Sequence, residues 1–148
     1  MPRDELELLA LLVTYPGLAI TPEAKRAGDL LVDPAARQLF RTCRDAVSDS
    51  GRIDFPAWIE AGPADVRRSL AAALMDEGLS RAENPAAKLR ALSTRLELQR
   101  VEAEISMTAR LLDQARSRGD MAATRQIMVR GIELDKTKQG LRSALQRP

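Results

Sequence analysis

The sequence predicts an all-α protein, in which a small helical bundle is joined by a long connector helix to a C-terminal antiparallel helical hairpin. Three observations predict it. Leu and Ala dominate an apolar fraction of 45%, while Trp58, Tyr15, Phe40 and Phe55 are the only aromatics, a mix that favours helices over sheets. Apolar residues recur at steps of three and four. The prolines and glycines that punctuate the first part of the chain thin out after Pro85. At 148 residues the chain suits one compact domain, or a small globular domain with an appendage.

The first helix is expected over residues 4–15. Leu8, Leu11, Leu12 and Tyr15 fall at helical spacing, and Leu6, Leu9 and Val13 widen the apolar face. Asp4 and Glu5 stand in the first turn, where the helix dipole favours acids, and Pro16-Gly17 stops the helix. Thr21-Pro22-Glu23 reads as an N-cap, a first-turn proline and an acid, opening a short helix. Asp33-Pro34 repeats that signal and opens a helix through Leu39 and Phe40 to Ser50-Gly51. Asp54-Phe55-Pro56 and Gly62-Pro63-Ala64-Asp65 each begin another short segment, and Gly78 is expected to close the last of them. Residues 1–80 therefore form the bundle.

Residues 81–96 lead into the connector. Asn84 caps and Pro85 takes the first helical position, starting one helix of about 33 residues to Ser117. It carries two apolar stripes. Leu89, Leu92, Leu96, Ala103 and Met107 share one arc; Leu98, Val101, Ile105, Thr108, Leu112 and Ala115 form a coiled-coil seam about 150° away. Gly119 is a candidate left-handed C-cap and Asp120 the next N-cap. The last helix runs to Gln146, weakened by Gly131 and Gly140, and aligns Ile127, Leu134, Leu141 and Leu145. Folding antiparallel about Gly119 brings Leu112 to Ile127, Ile105 to Leu134 and Leu98 to Leu141. This defines a hairpin over residues 97–148.

Some apolar residues are left without a seam. Met107, Leu111, Met121, Met128 and Ile132 are expected to form a docking surface, rimmed by Arg116, Arg118 and Arg125. A second stripe on a two-helix hairpin faces water or a partner, and methionine suits an adaptable contact. The competing expectation is that this stripe packs back on the bundle or against a second copy.

The chain has no histidine and one cysteine, which excludes histidine triads, histidine bases and a zinc cage. Cys43 is expected to be a buried, inert thiol, and Asp76-Glu77 a solvated pair near a helix end, with Trp58 a core or lid residue. No glycine-rich phosphate loop occurs. No catalytic, cofactor-binding or metal site is expected, and no cofactor. Net charge is +2: residues 1–94 hold 12 basic and 14 acidic side chains, residues 95–148 hold 11 and 7. That asymmetry is mild, so nucleic-acid binding through this domain is not the default. The lone cysteine, the absence of an apolar span and the acid-interrupted N-terminus point to the cytoplasm.

Glu5-Leu6-Glu7-Leu8-Leu9-Ala10-Leu11-Leu12, then Pro16-Gly17-Leu18-Ala19, the Leu39-Phe40 helix and the long helix opened by Glu83-Asn84 resemble the C-terminal domain of bacterial DNA primase. The resemblance spans essentially the whole chain and rests on the order and spacing of leucine patterns. It implies a helical bundle and a hairpin that bind the N-terminal domains of the hexameric replicative helicase. In that family the hairpin is the main anchor and the bundle modulates the helicase. It also implies that the chain is a non-catalytic piece of a longer primase, whose zinc-binding and RNA-polymerising domains lie outside it. One departure is that the hairpin has no aromatic residue, so methionine and isoleucine must supply the contact. The expected oligomeric state is a monomer or a weakly self-associating chain. Two rivals stand beside this reading. One is the N-terminal domain of a replicative helicase, which would assemble into rings. The other is a nucleic-acid-binding coiled coil using Arg110, Arg116, Arg118, Arg125, Arg130, Lys136, Lys138 and Arg142.

Overall fold

Most helix starts are written into the sequence as side-chain caps. Thr21, Asp33, Asp54, Asp76, Asn84 and Asp120 each accept a hydrogen bond from a backbone N–H in the first turn of the helix that follows. Proline occupies the first turn after four of these: Pro22, Pro34, Pro56 and Pro85. The computed structural model describes residues 1–147, and among them no strand occurs. The helices are α1 (Arg3–Thr14), α2 (Pro22–Asp29), α3 (Pro34–Ser50), α4 (Phe55–Glu60), α5 (Ala64–Met75), α6 (Glu77–Ser80), α7 (Pro85–Arg118) and α8 (Met121–Gln146), with a 3₁₀ turn at Pro16–Ile20. The protein is all-α, as its composition predicts. The chain divides into two compact units between Leu96 and Glu97, within α7.

The first unit is organised around α1. Leu8, Leu9, Ala10, Leu11 and Leu12 are completely covered. A helix apolar over so much of its circumference must be enclosed, and α3, α5 and α6 pack around it. Leu31, Leu39, Cys43, Leu70, Leu89 and Leu92 belong to the same buried cluster. The early stripe of α7 therefore ends in this core at Leu96, which is 3% exposed.

Polar groups pin the same unit. Glu5 is buried, and its Oε1 accepts hydrogen bonds from the amides of Val32 and Asp33 in the α2–α3 loop. The sequence explains Glu5 only as a first-turn acid; the fold uses it to hold another loop. Lys88 donates to the carbonyls of Gly78, Leu79 and Arg81 and lies 3.6 Å from Glu7. Arg95 reaches Asp4 at 3.3 Å and Glu7 at 3.2 Å. The Tyr15 hydroxyl donates to the Ala82 carbonyl and accepts from its amide, both at 3.2 Å. Trp58 is a core residue, its indole N–H donating to the Leu39 carbonyl at 2.8 Å. One expected boundary is corrected: α5 ends at Met75, and Gly78 lies inside α6. The reason is Asp76, whose carboxylate accepts from the Gly78 amide and starts a new turn there.

The second unit is an antiparallel hairpin of late α7 and α8. Gly119 has φ 69°, its amide bonded to the Arg116 carbonyl and the Asp120 amide to the Ala115 carbonyl. This is a Schellman motif, which satisfies two of the last carbonyls of α7 as the chain reverses. Asp120 then accepts from the Ala123 amide at 3.0 Å, so one dipeptide closes α7 and opens α8. Across the arms, Arg130 meets Glu104 at 3.0 Å and Arg142 meets Glu102 at 3.7 Å. No helix among the described residues is long and apolar enough to cross a membrane.

Candidate protein-docking surface

Coverage separates the seam of the hairpin from what it leaves over. Val101, Ala115 and Leu134 are buried, and Leu98, Ile105, Thr108, Leu112, Ile127, Leu141 and Leu145 are half-buried. The α8 side of this seam also includes Thr124, Gly131 and Lys138, none of them exposed. Together these positions step by three and four from Thr124 to Leu145. Gly131, read from sequence only as a weak helix residue, thus occupies a place where a side chain could pack.

The eight residues expected to form the docking surface are all exposed. Met107 is 57% exposed, Leu111 46%, Met121 67%, Met128 47% and Ile132 56%. They do not form one face. Glu102 and Glu104 lie about 200° apart around α7, so their ion pairs mark opposite flanks of the seam. Met107, Leu111 and Arg118 follow Glu104 at steps of three, four and seven and share its flank, as does Arg130 from α8. Met128 and Ile132 stand two residues either side of Arg130, hence about 160° from it, and belong with Arg142 on the other flank. Met121 and Arg125 lie on that second flank by helical spacing, and Arg116 joins it from α7. The expectation of a single surface is corrected to two, because sequence spacing alone does not fix which side of an antiparallel partner a stripe faces.

The α8 flank is the richer one. Val129, 57% exposed, borders it and was missed by sequence reading. Its signal was present: it falls eight residues after Met121 and four after Arg125, at helical spacing. Four large apolar side chains on about three turns of one helix face water, with Arg125 among them. Arg116, Arg118 and Arg125 form no ion pair among the described residues, whereas Arg130 and Arg142 are engaged by glutamates.

Burial pushes the Cys43 thiol up to about 12, so it stays protonated and non-nucleophilic at neutral pH. Asp76 and Glu77 are exposed, the first serving as a helix cap. Among the described residues no group of histidine, cysteine or carboxylate side chains has the arrangement to hold a metal ion. A cleft of about 410 Å³ on the first unit is lined by Arg37, Arg41, Arg44, Asp29 and Asp45 around Gly28 and Phe40, a mixed-charge surface. Comparison of the chain with protein-family models, with curated proteins and with solved structures finds no match.

Proposed function

We propose that this chain is a protein-docking domain of the primase C-terminal kind, whose hairpin engages the N-terminal domains of a hexameric replicative helicase. The observation that carries the docking part is the apolar α8 flank of Met121, Met128, Val129 and Ile132, each between 47% and 67% exposed. Large apolar side chains clustered in water mark interaction sites more often than chance surface exposure does. The identity of the partner rests on the resemblance in the order of elements: leucine-rich first helix, Leu39-Phe40 helix, Asn84-capped long helix, terminal hairpin. Docking raises the local concentration of a tethered primase at the helicase, so primers are made where template is unwound. Of the eight basic residues a nucleic-acid surface would draw on, Arg130 and Arg142 already neutralise Glu104 and Glu102, which weakens a phosphate-binding surface relative to the apolar one.

Calorimetric titration into the cognate helicase hexamer tests the reading. Saturable binding at several sites per hexamer is expected, weakened at least tenfold by Met128→Asp, a loss of about 1.4 kcal/mol or more. Binding indifferent to Met128→Asp would move the contact to the Met107–Leu111 flank. Absence of binding by a folded chain would remove the helicase reading.

A further inference from the structure

The exposed stripe of α8 does not stop at Ile132. Met121, Arg125, Met128, Ile132, Asp135 and Gln139 follow one another at steps of four, three, four, three and four, within an arc about 80° wide. This is the spacing of a helix-pairing seam. It is separate from the seam that α8 turns towards α7, and every one of its six positions is exposed. Arg125 and Asp135 form no ion pair among the described residues.

The order of residue types along this stripe is complementary to its own reverse. Laid antiparallel on a second copy, about a two-fold axis level with residue 130, Met128 meets the second copy's Ile132. Arg125 then meets the second copy's Asp135, and Met121 its Gln139. Symmetry repeats each contact, giving four apolar side chains at the centre and an ion pair on either side. A parallel pairing would set Arg125 against Arg125 and Asp135 against Asp135, so the charges select the antiparallel arrangement. We infer that α8 pairs antiparallel with α8 of a second copy of this chain, through Met128 and Ile132 with Arg125 opposite Asp135. The contact is a single helix pair about 27 Å long with six positions from each copy, fewer than the roughly 20 residues a side of a standard interface, so the dimer is weak and set by concentration. The inference uses the flank invoked for docking but does not depend on that reading. Where both hold, the second copy and the helicase compete for the same stripe, and self-pairing masks the docking face.

Sedimentation equilibrium of the whole chain, without helicase, from micromolar to millimolar concentration, tests it. The unaltered chain is expected to pass from monomer to dimer across that range. Arg125→Asp and Asp135→Arg each place two like-charge pairs across the axis, so each variant alone is expected to weaken the dimer at least tenfold. An equimolar mixture of the two variants restores both ion pairs and is expected to recover the dimer. Both substitutions lie on the exposed face of α8, and circular dichroism verifies that each variant keeps its helix content. A chain monomeric throughout, a single variant pairing as tightly as the unaltered chain, or a mixture that stays monomeric would overturn the inference. Because no helicase is present, none of these outcomes bears on the docking reading, which the titration above tests alone.

Discussion

Gly28 shows how much one hydrogen atom decides in the first unit. A Cβ built there would run into the ring of Phe40, so α2 and α3 approach as closely as they do only because the side chain is missing. Phe40 is 6% exposed, so its ring must shift against packed neighbours to admit the added carbon. Gly28→Ala is therefore expected to destabilise the protein by about 1–3 kcal/mol through overpacking, although alanine is the better helix former. Equilibrium urea unfolding reads this as a lower midpoint, and an unchanged midpoint would contradict the packing of Phe40. Glu5 acts at the same scale in another currency. Its carboxylate binds two loop amides from inside the core, where an unpaired amide would be costly.

The two glycines of α8 behave in the opposite way to Gly28. Neither Gly131 nor Gly140 has any neighbour within reach of an added Cβ. Alanine at either position gains helix propensity without a clash, so Gly131→Ala and Gly140→Ala are each expected to raise stability by up to about 1 kcal/mol. Thermal melts of the single and double variants check this, with near-additive increments expected for two separate sites. A loss of stability at Gly131 would mean that the arms pass closer there than the structure allows. The elements themselves were legible because their signals are local. Asp33-Pro34, Asn84-Pro85 and Gly119-Asp120 each supply cap, first-turn residue or left-handed stop within two residues, and the leucine steps supply the buried faces. What stayed hidden was non-local. Glu5 is adjacent to Asp4 in sequence, yet its role is defined by a loop twenty-seven residues away. The flank occupied by Met128 depends on the partner arm, and only the ion pairs to Glu104 and Glu102 reveal it. Gly78 misled because glycine ends helices often, whereas here a carboxylate two residues earlier starts one.

The two units are unequally built, and that governs the behaviour of the whole chain. The first encloses a continuous cluster from Leu8 to Leu96, while among the described residues of the second only Val101, Ala115 and Leu134 are buried. Helices supported by so few covered side chains open more readily than those inside a core. Amide hydrogen exchange under native conditions is expected to be slowest in α1 and faster throughout α8, with the late residues of α7 following α8. Equal protection of α1 and α8 would show that the chain opens only as one cooperative body. A fluctuating hairpin is compatible with a surface that changes partners. The Gly119-Asp120 reversal sets the terms on which it fluctuates. Two residues serve as both stop and start, so closing the arms traps almost no loop entropy, and re-pairing after each opening belongs to the microsecond events of local folding. The hairpin can thus be opened often and lost rarely, its memory of register residing in a single turn.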